Sequence, residues 1–104
     1  MTDERRSPAL IVIDPLDSVA VATSTLRPGD VGWADGELGC AALDTVPRGH
    51  KIALRDHDRG DLVIKYGGPI GRATAAIRRG EHVHSHNLST IRGRRDDEDR
   101  ALGG

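Results

Sequence analysis

Three of the chain's five histidines alternate within a short stretch that reads Glu81-His82-Val83-His84-Ser85-His86-Asn87. In an extended strand, residues i, i+2 and i+4 share one face, with neighbours about 7 Å apart at Cα. Neutral imidazole suits zinc, iron, nickel and copper, so His82, His84 and His86 are expected metal ligands. Ligands taken from one strand leave the opposite positions open, as a catalytic metal requires. Asn87 follows directly and offers an oxygen or a hydrogen bond to a substrate. The same alternation would also suit a half-exposed strand whose imidazoles face water and answer to pH.

A second group of candidates has no such periodicity. His50 and Lys51 follow the glycine turn Pro47-Arg48-Gly49 and could meet the histidine strand across the domain. A solvent-facing pair at a turn edge is the plainer reading. Lys51 and Lys65 are the chain's two lysines against thirteen arginines. An ammonium group there could hold a substrate carboxylate as a point charge and not as a fork. His50, Lys51, Lys65 and Asn87 therefore form the expected substrate-binding set.

Other chemistries are excluded by their missing parts. Gly67-Gly68-Pro69 makes a turn, with neither the helix nor the Lys-Ser/Thr of a phosphate-binding loop after it. Asp56, Asp58 and Asp61 lack the glycine and terminal glutamate of a calcium loop. No Ser/His/Asp arrangement can be assembled. Cys40 has Gly39, Ala41 and Ala42 around it, which supply neither base nor positive charge, so a buried, inert thiol is expected. A single cysteine cannot form an internal disulfide, which fits a reducing cytoplasm.

The elements that must position these residues are short. Gly and Pro punctuate the chain at Pro28-Gly29, Gly36, Gly39, Pro47, Gly49, Gly60, Gly67-Gly68-Pro69 and Gly80. Between them, Val19-Ala-Val21-Ala-Thr23, Ile52-Ala-Leu54 and the histidine stretch alternate with a period of two, and Leu62-Val-Ile64 is a short run rich in β-branched residues. Many short strands between turns define an all-β domain. Thr74–Arg79 could make about one helical turn before Gly80 stops it. A unit consisting of Ala, six residues, Gly and an acid occurs three times, at Ala22/Gly29-Asp30, Ala53/Gly60-Asp61 and Ala73/Gly80-Glu81. Its uneven spacing suits a compact fold with internal pseudo-symmetry more than a solenoid. The folded part is expected over 9–92, between a flexible N-terminus, 1–8, and a disordered charged tail, 93–104.

Composition narrows the function classes. Sixteen acidic against fifteen basic residues and an aromatic content of 2 % argue against nucleic-acid binding, which favours a basic surface and stacking rings. No apolar run approaches the roughly 18 residues of a membrane span. The stretch over 9–13 is too short for the core of a signal peptide. A cytoplasmic protein is expected.

Taken in order, Pro47-Arg-Gly-His-Lys-Ile-Ala-Leu-Arg-Asp56, Val63-Ile-Lys-Tyr-Gly67, Ile70-Gly-Arg-Ala-Thr74 and Gly80-Glu-His-Val-His-Ser-His-Asn87 resemble the N-terminal or small-subunit segment of the altronate dehydratase family. That family includes galactarate dehydratase and the small subunit of sulfolactate sulfo-lyase. The resemblance covers about Ile13 to Leu88. It implies an SAF domain with the β-clip fold, and β-elimination from a sugar acid. A base would remove the proton α to a carboxylate, and a divalent metal would assist loss of the β-hydroxyl. Fe(II) is expected, with Mn(II) and Zn(II) as alternatives. His82, His84, His86 and Asn87 match the family's histidine motif, and His50-Lys51 match its Gly-His-Lys. His57 departs from the apolar residue more usual there.

The large lyase domain of the fused enzymes is absent, so the expected partner is a large catalytic lyase subunit. Val31, Trp33, Leu38 and the apolar residues over 10–13 could supply the docking surface. The expected product of that union is a hydro-lyase acting on a small hydroxy acid. A sulfo-lyase subunit and a non-catalytic module binding a sugar acid or metal are the alternatives.

Overall fold

A computed structural model describes residues 8–34 and 38–91. The expected tail over 93–104 and most of the N-terminal segment lie outside the described residues. Among the described residues nine strands follow one another: β1 (Ala9–Ile11), β2 (Val19–Ala22), β3 (Val31–Ala34), β4 (Leu38–Ala41), β5 (Lys51–Ala53), β6 (Leu62–Lys65), β7 (Gly68–Ala73), β8 (His82–Val83) and β9 (Leu88–Thr90). They build a six-stranded sheet in the order β4-β3-β1-β2-β5-β8 and a three-stranded sheet, β6-β7-β9. All pairings are antiparallel except β1 with β3. The domain is all-β, as expected. Thr74–Arg79 is not helical: it is extended and turning chain, pinned at Ile77 by a bridge to His57.

The repeat organises the molecule more completely than the sequence shows, because there are four copies and not three. The extra one runs from Ala42 to Gly49-His50. Copies interlock in two pairs. In the first, the Gly29 and Gly49 amides donate to the Ala42 and Ala22 carbonyls, while Leu26 and Val46 exchange both backbone bonds. In the second, Gly60 and Gly80 donate to Ala73 and Ala53, while His57 and Ile77 exchange theirs. A shift of 31 residues, from Ala22 to Ala53, carries one pair onto the other.

Each copy closes with the same four-residue turn. Its fourth amide donates to its first carbonyl, as in Asp30 to Arg27 and His50 to Pro47, both at 2.9 Å. The third residue is Gly with φ between 84° and 95°, the positive value a type II turn demands there. In three copies the terminal acid also accepts from the turn's first amide: Arg27 to Asp30, Asp58 to Asp61 and Arg78 to Glu81. The turn of the fourth copy begins with Pro47, which has no N–H to offer. Position 50 is thereby relieved of capping, and a histidine stands where the others have an acid.

Aliphatic side chains fill two small cores, one around Leu26, Val46 and Ile52, the other around Val63, Ile77 and Val83. Cys40 is buried in the first, as expected. Three of the four equivalent bridge positions carry Leu26, Val46 and Ile77; the fourth carries His57, which is only 4 % exposed. The polar stretch over 55–59 therefore hides a core residue. Its Nε2 lies 2.8 Å from the Ser18 hydroxyl, which already accepts the Ile64 amide. The direction of that bond follows the ring tautomer, and Nδ1 is buried without a partner of hydrogen-bond geometry. Burial, then the Arg55 charge, hold the His57 pKa below its ordinary value.

The β6–β7 hairpin turns at Tyr66-Gly67, both with positive φ. Asp17 anchors this turn from beneath, accepting from the Gly67, Asp14 and Ile13 amides. Burial opposes ionisation of Asp17, but the amide bonds outweigh it and its pKa is lowered.

Candidate metal centre and adjoining groove

The histidines are brought together by the β5–β8 pairing, which sets Lys51 opposite Val83 and Ile52 opposite His82. His50, at the end of the proline-led turn, thereby arrives beside His82. Strand β8 ends at Val83, so the alternation does not continue as a strand through His86: residues 84–87 turn. Asn87 braces that turn. Its Oδ1 accepts from the His84 amide at 3.0 Å and its Nδ2 donates to the His82 carbonyl at 2.9 Å. The side-chain amide is committed to backbone, which explains a buried Asn at this position.

His50, His82 and His84 each direct a ring nitrogen into a space where all three ligand atoms lie within 4.8 Å of one another. His50 Nδ1 and His82 Nε2 are 2.9 Å apart. Two cis ligands on a metal with bonds of about 2.0–2.1 Å span a similar separation. The His50 ring stacks on His84 with centroids 4.1 Å apart. His86 lies against His82, 5.2 Å between centroids, outside that three-nitrogen set.

Ionisation favours ligation. The His82 pKa is lowered by burial, then by the neighbouring charges of His50, His86 and His84, against a smaller opposing effect of Asp44. The His84 pKa is lowered by desolvation, then by His50, Lys51 and His86. Rings that resist protonation keep lone pairs available, and the donor set fits a divalent transition metal.

Beside the histidines lies the groove that sequence reasoning left undefined. Lys51 and Lys65 line it together with Ile70, Leu88, Thr90 and Ile91, enclosing about 470 Å³. A smaller hollow lined by Lys51, His84, Ser85, Leu88 and Thr90 adjoins it. Burial, and then the charge of Lys65, lower the Lys51 pKa. Lys65 Nζ rests 4.2 Å from the centre of the Tyr66 ring. Ile70, Leu88 and Thr90 carry no chemical signal in the sequence. They are found only through the β7–β9 pairing that sets them beside the lysines.

The expected docking residues lie on, or directly after, the neighbouring strands β1, β3 and β4. Val31 and Trp33 border a shallow depression with Leu43 and Arg79. Leu38, Ile11 and Ile13 are exposed. No helix among the described residues is long and apolar enough to cross a membrane.

Short curled strands and interlocked repeats, with a half-exposed imidazole cluster, are those of an SAF-type β-clip domain. The chain belongs to the altronate/galactarate dehydratase SAF domain family, which matches residues 8–91. It is 49 % identical over 80 residues to the altronate dehydratase of Escherichia coli (strain K12), covering 77 % of this chain but 16 % of that enzyme. The altronate dehydratase of Bacillus subtilis (strain 168) is 39 % identical and is likewise covered over 16 % of its length. A different proportion holds for the (2R)-sulfolactate sulfo-lyase subunit alpha of Chromohalobacter salexigens. That protein is 47 % identical over 88 residues, and the match spans 94 % of it.

Proposed function

We propose that this chain is the small subunit of a metal-dependent lyase acting on a hydroxy acid, contributing its histidine cluster to a site completed by a larger catalytic chain. The observation that carries the reading is the convergence of His50, His82 and His84 nitrogens within 4.8 Å. Membership of the dehydratase SAF family supports β-elimination as the reaction class, with water as the proposed leaving group. His50, His82 and His84 would hold a divalent cation, Fe(II) before Mn(II) or Zn(II), with His86 within reach of the same cluster. Such an ion supplies Lewis-acid polarisation of a substrate carboxylate or leaving oxygen.

The chain's own residues do the positioning. Asn87 fixes the turn that carries His84, and Asp44 accepts the His82 amide at 3.1 Å. Lys51 and Lys65 are the proposed substrate side of the site, with Asn87 acting through the turn it braces, while His50, expected on that side, joins the metal ligands instead. The small size of the domain supports the need for a second chain, because pockets that enclose a substrate form preferentially at interfaces.

The near-complete coverage of a sulfo-lyase subunit alpha favours a second reading, in which sulfite leaves in place of water. One experiment separates them. The chain is reconstituted with its large partner and Fe(II), then supplied with altronate, galactarate or sulfolactate, and keto-acid and sulfite are measured. Keto-acid from a sugar acid supports the hydro-lyase, and sulfite release supports the second reading. His84→Ala is expected to lower turnover at least about 100-fold, as losses around metal sites commonly do. Turnover within twofold of the unaltered complex would remove His84 from the site.

A further inference from the structure

We propose that the groove between Lys51 and Lys65 is an oxyanion subsite, taking the carboxylate or sulfonate of the substrate and holding it apart from the histidine cluster. The inference rests on the lyase reading above and adds to it where the acidic group sits. Three observations carry it. The chain has only two lysines, on different strands, and both line this one groove. No acidic side chain lines the groove or the adjoining hollow among the described residues, so nothing there neutralises the pair. Lys51, Leu88 and Thr90 border both spaces, and the hollow reaches His84, so a ligand can touch the lysines and the cluster at once.

The chemistry suits an anion with a short carbon chain. Ile70, Leu88 and Ile91 exclude water on one side, which strengthens the attraction between ammonium and oxyanion. The Thr90 hydroxyl adds a donor of adjustable direction. The Tyr66 ring beneath the Lys65 ammonium keeps that charge at the rim without cancelling it. Arginines are plentiful elsewhere, yet none lines this groove among the described residues. A point charge tolerates both the planar carboxylate and the tetrahedral sulfonate, whereas the guanidinium fork is matched to planar, two-point contact.

The test uses the 104-residue chain, labelled with ¹⁵N and titrated with lactate, with isethionate and with the neutral lactamide. Lactate and isethionate are expected to shift the amides of Lys51, Lys65 and Thr90, and lactamide is not. Lys65→Met should weaken lactate about tenfold, and Lys65→Arg should weaken isethionate more than lactate. Shifts by lactate but not isethionate would confine the subsite to carboxylates; the reverse would confine it to sulfonates. Equal binding of lactamide, unchanged affinity in Lys65→Met, or no shift with either anion would overturn the proposal.

A parallel Co(II) titration, read by its visible absorption, keeps the two readings apart. Cobalt bound at the histidines without anion shifts at the lysines sinks the subsite alone. Anion shifts without cobalt binding sink the metal reading alone.

Discussion

His57 shows how one residue can depart from the rule of its own repeat. The equivalent positions hold Leu26, Val46 and Ile77, all buried. An imidazole there keeps one bond, to Ser18, and leaves Nδ1 without one. Its folded pKa is lowered while the unfolded chain keeps the ordinary value near 6.5. The unfolded state therefore binds more protons, and the stability held above pH 6.5 is lost as pH falls through that value toward the folded pKa. His82 and His84 are lowered too and act in the same sense, so the contribution of His57 must be isolated by subtraction. At about pH 7.5 His57→Leu is expected to change stability by less than about 1 kcal/mol, because removing the unpaired Nδ1 is offset by the buried Ser18 hydroxyl losing its bond to the ring. The variant should become the more stable protein at about pH 5.5, where the unfolded imidazole is protonated. Urea midpoints of both proteins at the two pH values measure it, and an identical pH dependence would show that His57 titrates normally.

At the scale of the element, the four turns share backbone geometry but differ in surroundings. A Cβ at Gly60 would meet nothing within 4 Å, whereas one at Gly80 would strike the Ala41 carbonyl oxygen and approach Leu43. Both glycines have nearly the same positive φ, 93° and 94°. Gly60→Ala is expected to cost about 1–2 kcal/mol, the penalty of a left-handed residue with a side chain. Gly80→Ala should cost at least about 1 kcal/mol more, because backbone must move as well. Thermal unfolding of the two variants provides the comparison; equal losses would show that the Ala41 contact relaxes freely.

The same turns show what the sequence made legible. Ala, Gly and the following acid are visible at fixed spacing because each answers a fixed physical demand, for close packing, for positive φ and for an amide cap. The fourth copy escapes notice because Pro47 abolishes the capped amide and His50 replaces the acid. That single substitution pattern is also the signal for His50, since a turn without an amide to cap is free to carry a ligand. The histidine alternation identifies the right neighbourhood, but its period says nothing of where β8 ends. Pairing with β5 decides that, and it exchanges His86 for His50 in the converging set. The burial of His57 was hidden by charged neighbours, which belong to the turn's surface while residue 57 belongs to its bridge.

Across the whole molecule, the two interlocked pairs of repeats are too small to stand alone. Each core is built from a handful of aliphatic side chains, with no phenylalanine in the chain, and a unit of roughly 30 residues lies below the size at which apolar burial alone sustains a fold. They are joined through the sheet: β2 pairs with β5 over Val19 to Ala53, Ala20 to Ile52 and Val21 to Lys51, and β5 in turn carries β8. Ser18 adds a second tie, through Ile64 and His57. Separating the pairs would expose Val19, Ile52 and Ala53 together, so the domain is expected to unfold in a single transition. The chain carries its own reporters, Trp33 in the first pair and Tyr66 in the second, one of each type. Trp33 fluorescence and the Tyr66 ring resonances should give the same urea midpoint and slope. Distinct midpoints would mean that one pair persists without the other, and the histidine cluster, which draws His50 from the first pair and His82 and His84 from the second, would then come apart before the fold does.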